Sequence, residues 1–134
     1  MQHKKKGSNA ERELLFMFFD NGFMAARVAG SGSSTLPTPD IIVIKENIGF
    51  AIECKTKSGE YLNIREEQIK ELETWEKISG HKAYVAWRLT GKKWYFIHYS
   101  KLNKTKKAFS IKKEEIIQKG LIFNDFIKQK KEDR

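Results

Sequence analysis

The densest apolar run is Ile41-Ile42-Val43-Ile44. After Lys45-Glu46-Asn47 it resumes as Ile48-Gly49-Phe50-Ala51-Ile52. Both runs are short, rich in β-branched residues and bounded by turn residues, a pattern that predicts strands. The link is too short for a helix, so the two form an antiparallel hairpin turning at Glu46-Asn47. Upstream, Ala10, Leu14, Leu15, Phe18 and Phe19 recur at helical spacing. They predict a helix capped by Ser8 or Asn9, buried along that wide face, reaching about Asp20 and stopped by Asn21-Gly22. Residues 23–29 read as a first strand. Downstream, Asn63 with Glu66 resembles a capping box and predicts a helix over residues 64–79. Its apolar stripe is Ile69, Leu72, Trp75 and Ile78, and Gly80 ends it. Residues 82–90 and 93–100 predict two strands turning at Gly91-Lys92. Phe109 and Ile111 mark a short strand, and residues 114–119 and 124–131 two short helices divided by Gly120. Helix, strand, hairpin, helix, strand, strand is an α/β order that predicts a mixed central sheet flanked by helices.

The hairpin carries the candidate chemistry. With the turn at Glu46-Asn47, Lys45 faces Ile48, and counting back sets Asp40 opposite Glu53. Directly opposite residues share a face, their Cβ atoms about 4.5–5.5 Å apart. Lys55, two residues on, shares it too, whereas Cys54 alternates away. Two carboxylates that close repel unless something positive lies between them. A divalent cation meets that need, since Mg²⁺ is held by one or two carboxylates with water and phosphate oxygens. A lysine beside it can serve a water or stabilise charge on a phosphate. The structural alternative is an ion pair at a strand end, and a one-residue slip in register would send Asp40 to the opposite face.

Composition adds a partner. The chain has 134 residues and a formal net charge of +9. That is enough chain for one domain with a core, and the basicity suggests an anionic polymer, nucleic acid first. No apolar run approaches a membrane span, and no signal core follows the basic N-terminus. The lone Cys54 reads as a small core residue, so the expected location is cytoplasmic. Prominent lysine, glutamate and isoleucine fit a thermophile. Residues 1–7, with Lys4, Lys5 and Lys6, are expected to be a flexible basic arm, and residues 130–134 to fray. The segment 30–39 is rich in Gly, Ser, Thr and Pro and leads into Asp40, which suits a connector or a substrate-contacting loop. It lacks the Gly-Lys-Ser/Thr of a P-loop. Trp87, Trp94, Tyr95, Phe96 and Tyr99 alternate along strands and are read as packing. Glu11 either complements the first helix's dipole or is catalytic, and Arg27 is either an edge cation or a phosphate ligand; spacing leaves both open.

Pro39-Asp40 followed by Glu53-Cys54-Lys55 resembles the signature of the PD-(D/E)xK nuclease superfamily. Lys6-Gly7-Ser8-Asn9-Ala10-Glu11-Arg12 resembles the opening of the archaeal Holliday junction resolvases (Hjc). Gly22-Phe23, Arg27, Gly30-Ser31-Gly32-Ser33, Pro39-Asp40-Ile41 and Lys93-Trp94-Tyr95-Phe96 follow in that family's order. The resemblance covers about residues 4–100 and implies a restriction-endonuclease-like fold over a single domain, residues 1–134. It implies a homodimer that cuts four-way DNA junctions by paired symmetric nicks in recombination and repair, in an archaeal cell or a virus-infected host. By that resemblance Asp40 and Glu53 hold Mg²⁺, for which Mn²⁺ can substitute, Glu11 supports the metal, Lys55 serves the water or transition state, and Ser31 belongs to the catalytic loop. Arg12, Arg27, Lys4, Lys5, Lys6, Ser33 and Lys57 would contact DNA. Gln68 stands where some relatives place a supporting glutamine, and Leu72 and Trp75 are the suggested dimer surface. A clamp or helicase partner is not legible. The competing readings are another PD-(D/E)xK endonuclease acting on duplex or flap DNA, and a catalytically silent DNA-binding module.

Overall fold

The computed structural model describes residues 2–28, 36–89 and 91–129, with residues 2–8 as backbone only. Helix α1 spans Gln2–Asp20, followed by strands β1 (Met24–Arg27), β2 (Ile41–Lys45), β3 (Ile48–Lys55) and β4 (Tyr61–Arg65). Helix α2 (Glu66–Ser79) leads to β5 (Lys82–Arg88) and β6 (Trp94–His98). The chain closes with β7 (Asn103–Lys104), β8 (Ala108–Lys112), α3 (Lys113–Lys119), β9 (Leu121–Ile122) and α4 (Phe123–Ile127). The central sheet runs β1-β2-β3-β5-β6-β9, and β4, β8 and β7 form a second, smaller sheet. All central pairings are antiparallel except β3 with β5. The mixed sheet expected from the element order is thus present.

Each face of the central sheet carries its own core. On one face Ala10, Leu14 and Phe18 of α1 meet Phe50, Ile52, Tyr84 and Phe96, and Phe123 and Phe126 of α4 complete the cluster. Phe126 stacks on Phe96 with ring centroids 4.2 Å apart and has no exposed surface. On the other face Ile69 and Leu72 of α2 pack on Ala51, Ala83, Val85 and Trp87, with Leu62, Ile64 and Ile111 of the small sheet at the side. Trp87, Trp94 and Phe96 are buried, as packing residues should be.

Several boundaries differ from the periodicity reading. Helix α1 starts at Gln2, so residues 2–7 are helical backbone where a flexible arm was expected. Lysine is a good helix former, and one glycine costs only about 1 kcal/mol inside a helix. Phe19 is 59% exposed, because it lies about 100° round the helix from Phe18, off the Ala10-Leu14-Phe18 row. Asn63 does not cap a helix: it lies within β4, whose burial alternates strictly and whose partner is β8. The cap of α2 is Arg65, without a side-chain hydrogen bond. Ile78 is 80% exposed. A pure i+3 series drifts back about 60° per step, so Ile78 lies about 180° from Ile69. The helix stops stand where expected: Gly22 has φ +91° and Gly80 φ +76°. Residues 30–35 and 130–134 lie outside the described residues.

Candidate active site

The hairpin register decides the site. Ile41 pairs with Ile52 and Lys45 with Ile48, so Asp40, one residue before β2, stands opposite Glu53. The turn falls at Glu46-Asn47, with Glu46 at φ +56°. Asp40 is fixed across the hairpin by the Cys54 backbone N–H, which donates to its Oδ2 at 2.8 Å. Helix α2 fixes the other two residues through one side chain. Lys55 Nζ donates to Gln68 Oε1 at 3.2 Å, and Gln68 Nε2 donates to Glu53 Oε2 at 3.4 Å. Lys55 Nζ also stands 3.7 Å from Glu53 Oε2. Pro39, Asp40, Glu53, Gln68, Glu71 and Trp75 border a cleft of about 200 Å³.

This crowding has an electrostatic signature. Burial, then the neighbouring Asp40 charge, pushes the Glu53 carboxyl up to about 8, and Lys55 opposes the shift. Asp40 is raised too, again first by burial, with the Cys54 N–H opposing and Glu11 adding to the rise. A cation between the two carboxylates would relieve both charges. Hard oxygen donors of this kind fit Mg²⁺ or Mn²⁺.

Glu11 and Arg27 lie on the opposite face. Arg27 pairs with Ile41, and both point toward α1, whereas Asp40 and Glu53 point toward α2. Arg27 Nε donates to Glu11 Oε1 at 2.7 Å, with the Glu11 side chain 19% exposed. Among the described residues no three His, Cys, Asp or Glu side chains converge as metal ligands. Glu11, expected to support the metal, is held by Arg27 and acts on Asp40 through its charge. Arg12 and Lys57 are exposed. Ser31 and Ser33 and the side chains of Lys4, Lys5 and Lys6 lie outside the described residues. Leu72 is 2% exposed and belongs to this chain's own core, which corrects its assignment to a dimer surface, and Trp75 is half-buried against the same core. Periodicity does not single out Glu71, which borders the cleft and raises Glu53, or Arg65 beside it. The spacing of Gln68 and Glu71, one helical turn apart, is the signal that could have found the former's neighbour.

A mixed sheet with helices on it, presenting Asp40, Glu53 and Lys55 together at one hairpin end, is the restriction-endonuclease-like nuclease fold. The chain belongs to the archaeal Holliday junction resolvase family, whose sequence profile, described as "Archaeal holliday junction resolvase (hjc)", matches residues 2–134. The crossover junction endodeoxyribonuclease Hjc of Archaeoglobus fulgidus is 40% identical over 108 residues, 81% of this chain and 79% of that protein. The crossover junction endodeoxyribonuclease Hje of Saccharolobus islandicus is 42% identical over 66 residues, 49% of each chain. The solved structure of Archaeoglobus fulgidus Hjc, a Holliday junction resolvase from an archaeal hyperthermophile, superposes with a TM-score of 0.83. That superposition covers 90% of this chain and 98% of the other at 33% identity.

Proposed function

We propose that this chain is a structure-selective endonuclease that resolves four-way DNA junctions by paired nicks. The observation that carries this is the buried Asp40–Glu53 pair with Lys55 held beside it, in a chain of the resolvase family. Asp40 and Glu53 would hold one divalent cation, Mg²⁺ by preference. When bound, the cation supplies Lewis-acid activation of a water and neutralises charge developing on the phosphate.

The protein's own part is positional. The Cys54 N–H and Gln68 keep the two carboxylates and the ammonium in register, so little reorganisation accompanies the reaction. Lys55 faces the developing phosphate charge or the attacking water. Glu11 orients the Arg27 guanidinium, which with the exposed Arg12 binds backbone phosphate near the cut. By resemblance to the family, Ser31 takes part in catalysis and Ser33 contacts DNA. No residue needs to form a covalent intermediate, and Cys54 points to the opposite core with its thiol pushed up by burial.

Paired symmetric cuts need two such sites, which a homodimer supplies. No helix among the described residues is long and apolar enough to cross a membrane. We assign the enzyme to the cytoplasm of an archaeal cell or an infected host, where junction DNA would be met. The test is cleavage of a labelled synthetic four-way junction with excess linear duplex, with and without Mg²⁺. Paired nicks only with Mg²⁺ and undisturbed by duplex are the expected result, and Asp40→Ala should bind without cutting. Equal cutting of duplex would make the chain a general endonuclease, and cleavage retained in both Asp40→Ala and Glu53→Ala would remove the site assignment.

A further inference from the structure

Immediately beyond Lys55 the chain enters the wall of a second cavity, about 340 Å³ in volume. Three segments build it: the turn after β3 with Thr56, Lys57 and Ser58, the β5–β6 turn with Arg88 and Lys92, and Lys113 at the start of α3. Among the described residues four cations line it, and no carboxylate does.

The walls are tied down rather than loose. The indole N–H of Trp87, itself wholly buried, donates to the Lys57 carbonyl at 2.8 Å. The Lys113 N–H donates to the Glu60 carbonyl at 2.8 Å, and the Lys92 N–H to that of Leu89 at 3.1 Å. Gly59 and Gly91 take φ +120° and +83° in the two turns and leave open space there. Arg88 is anchored from behind by α1, its Nη2 donating to Glu13 Oε2 at 3.0 Å. Its Nε–H is buried and finds no acceptor among the described residues.

We infer that this cavity is a phosphate subsite that grips the DNA backbone beside the scissile phosphate. The inference rests on the nuclease reading above and extends it to Arg88, Lys92 and Lys113, none of which that reading uses. Thr56 follows Lys55 directly, so the wall begins within about 7 Å of it. A backbone phosphate held there belongs to the first few nucleotides beside the cut. Phosphate offers three acceptors to converging ammonium and guanidinium groups, and it needs no base recognition, as a branch-selective enzyme requires.

The test crosses protein with DNA. Wild type and Lys92→Gln/Lys113→Gln are compared for junction affinity in Ca²⁺ without Mg²⁺, on junctions carrying one neutral methylphosphonate. The substitution is stepped through about three positions on each side of the scissile phosphate. The melting temperature of each protein reports folding separately. On wild type, one position within about three nucleotides of the cut should lose about tenfold in affinity, the size of one charge-assisted hydrogen bond. The double variant should show no such loss, and its salt dependence should be shallower by about 1 to 2 in log–log slope. Equal losses in both proteins, or a flat scan on wild type, would overturn the assignment. If wild type still cuts the unmodified junction in Mg²⁺, that failure leaves the resolvase reading standing. If wild type cuts no junction, the resolvase reading falls, and this inference with it.

Discussion

Replacing Glu53 by Gln should stabilise the metal-free protein at high pH while abolishing its chemistry. The carboxyl titrates at about 8 in the fold instead of 4.5, because it is buried beside Asp40. The folded protein therefore holds a proton that the unfolded chain has lost, and stability falls as pH rises from about 4.5 to about 8. At about 1.4 kcal/mol per pH unit the full displacement corresponds to about 5 kcal/mol. The two carboxyls titrate together, so about 2–4 kcal/mol is the share to expect from one substitution. Gln keeps the shape, and its amide oxygen can still accept from Gln68. Thermal melts in chelator from pH 5 to 9 make the comparison. At pH 5 the two proteins should melt together; at pH 9 the variant should melt about 10 °C higher, at about 4 °C per kcal/mol for a chain of this size. Mg²⁺ at pH 8 should raise the wild-type midpoint and leave that of Glu53→Gln nearly unmoved. A difference that does not change with pH, or a variant less stable at pH 9, would refute the reasoning from burial.

Gln68→Ala removes the side chain that ties Lys55 to Glu53 and should lower the single-turnover cleavage rate about tenfold with little change in junction affinity; an unchanged rate would show that the tether is dispensable. Arg12→Ala should weaken junction binding and flatten its salt dependence by about 0.9 in log–log slope, read by titration at several salt concentrations. Phe126→Ala should cost about 3–5 kcal/mol in urea unfolding, because the ring is fully buried and stacks on Phe96. A cost below about 1 kcal/mol would mean that α4 is not part of the cooperative core.

Local pattern is sufficient wherever one short stretch carries its own constraint. The hairpin register follows from a two-residue turn and an unbroken apolar run, so Asp40 opposite Glu53 is legible from the residues of the hairpin alone. Gly22 and Gly80 stop their helices by backbone geometry alone, and Gly91-Lys92 turns its hairpin in the same way. The family motifs, read in order along the chain, lead to the fold and the resolvase family.

What depends on distant residues is decided by the tertiary structure. Tyr61–Arg65 is a strand because β8, far along the chain, pairs with it; alone, its Asn and Glu spacing imitates a helix cap. Phe19 and Ile78 are exposed because a helix buries only the part of its surface that a partner covers. Glu11 meets Arg27 because both sit on the face that α1 covers, and which face α1 covers is not written in its own sequence. Glu71 in the cleft and the Arg88–Lys92–Lys113 pocket arise the same way, from segments that adjoin only once two cores have closed on opposite faces of one sheet. The sequence by itself determined that Asp40 stands opposite Glu53 with Lys55 two residues on, because a turn fixes register over a few residues. Only the folded chain decided their neighbours, because burial and charge depend on which distant surfaces meet.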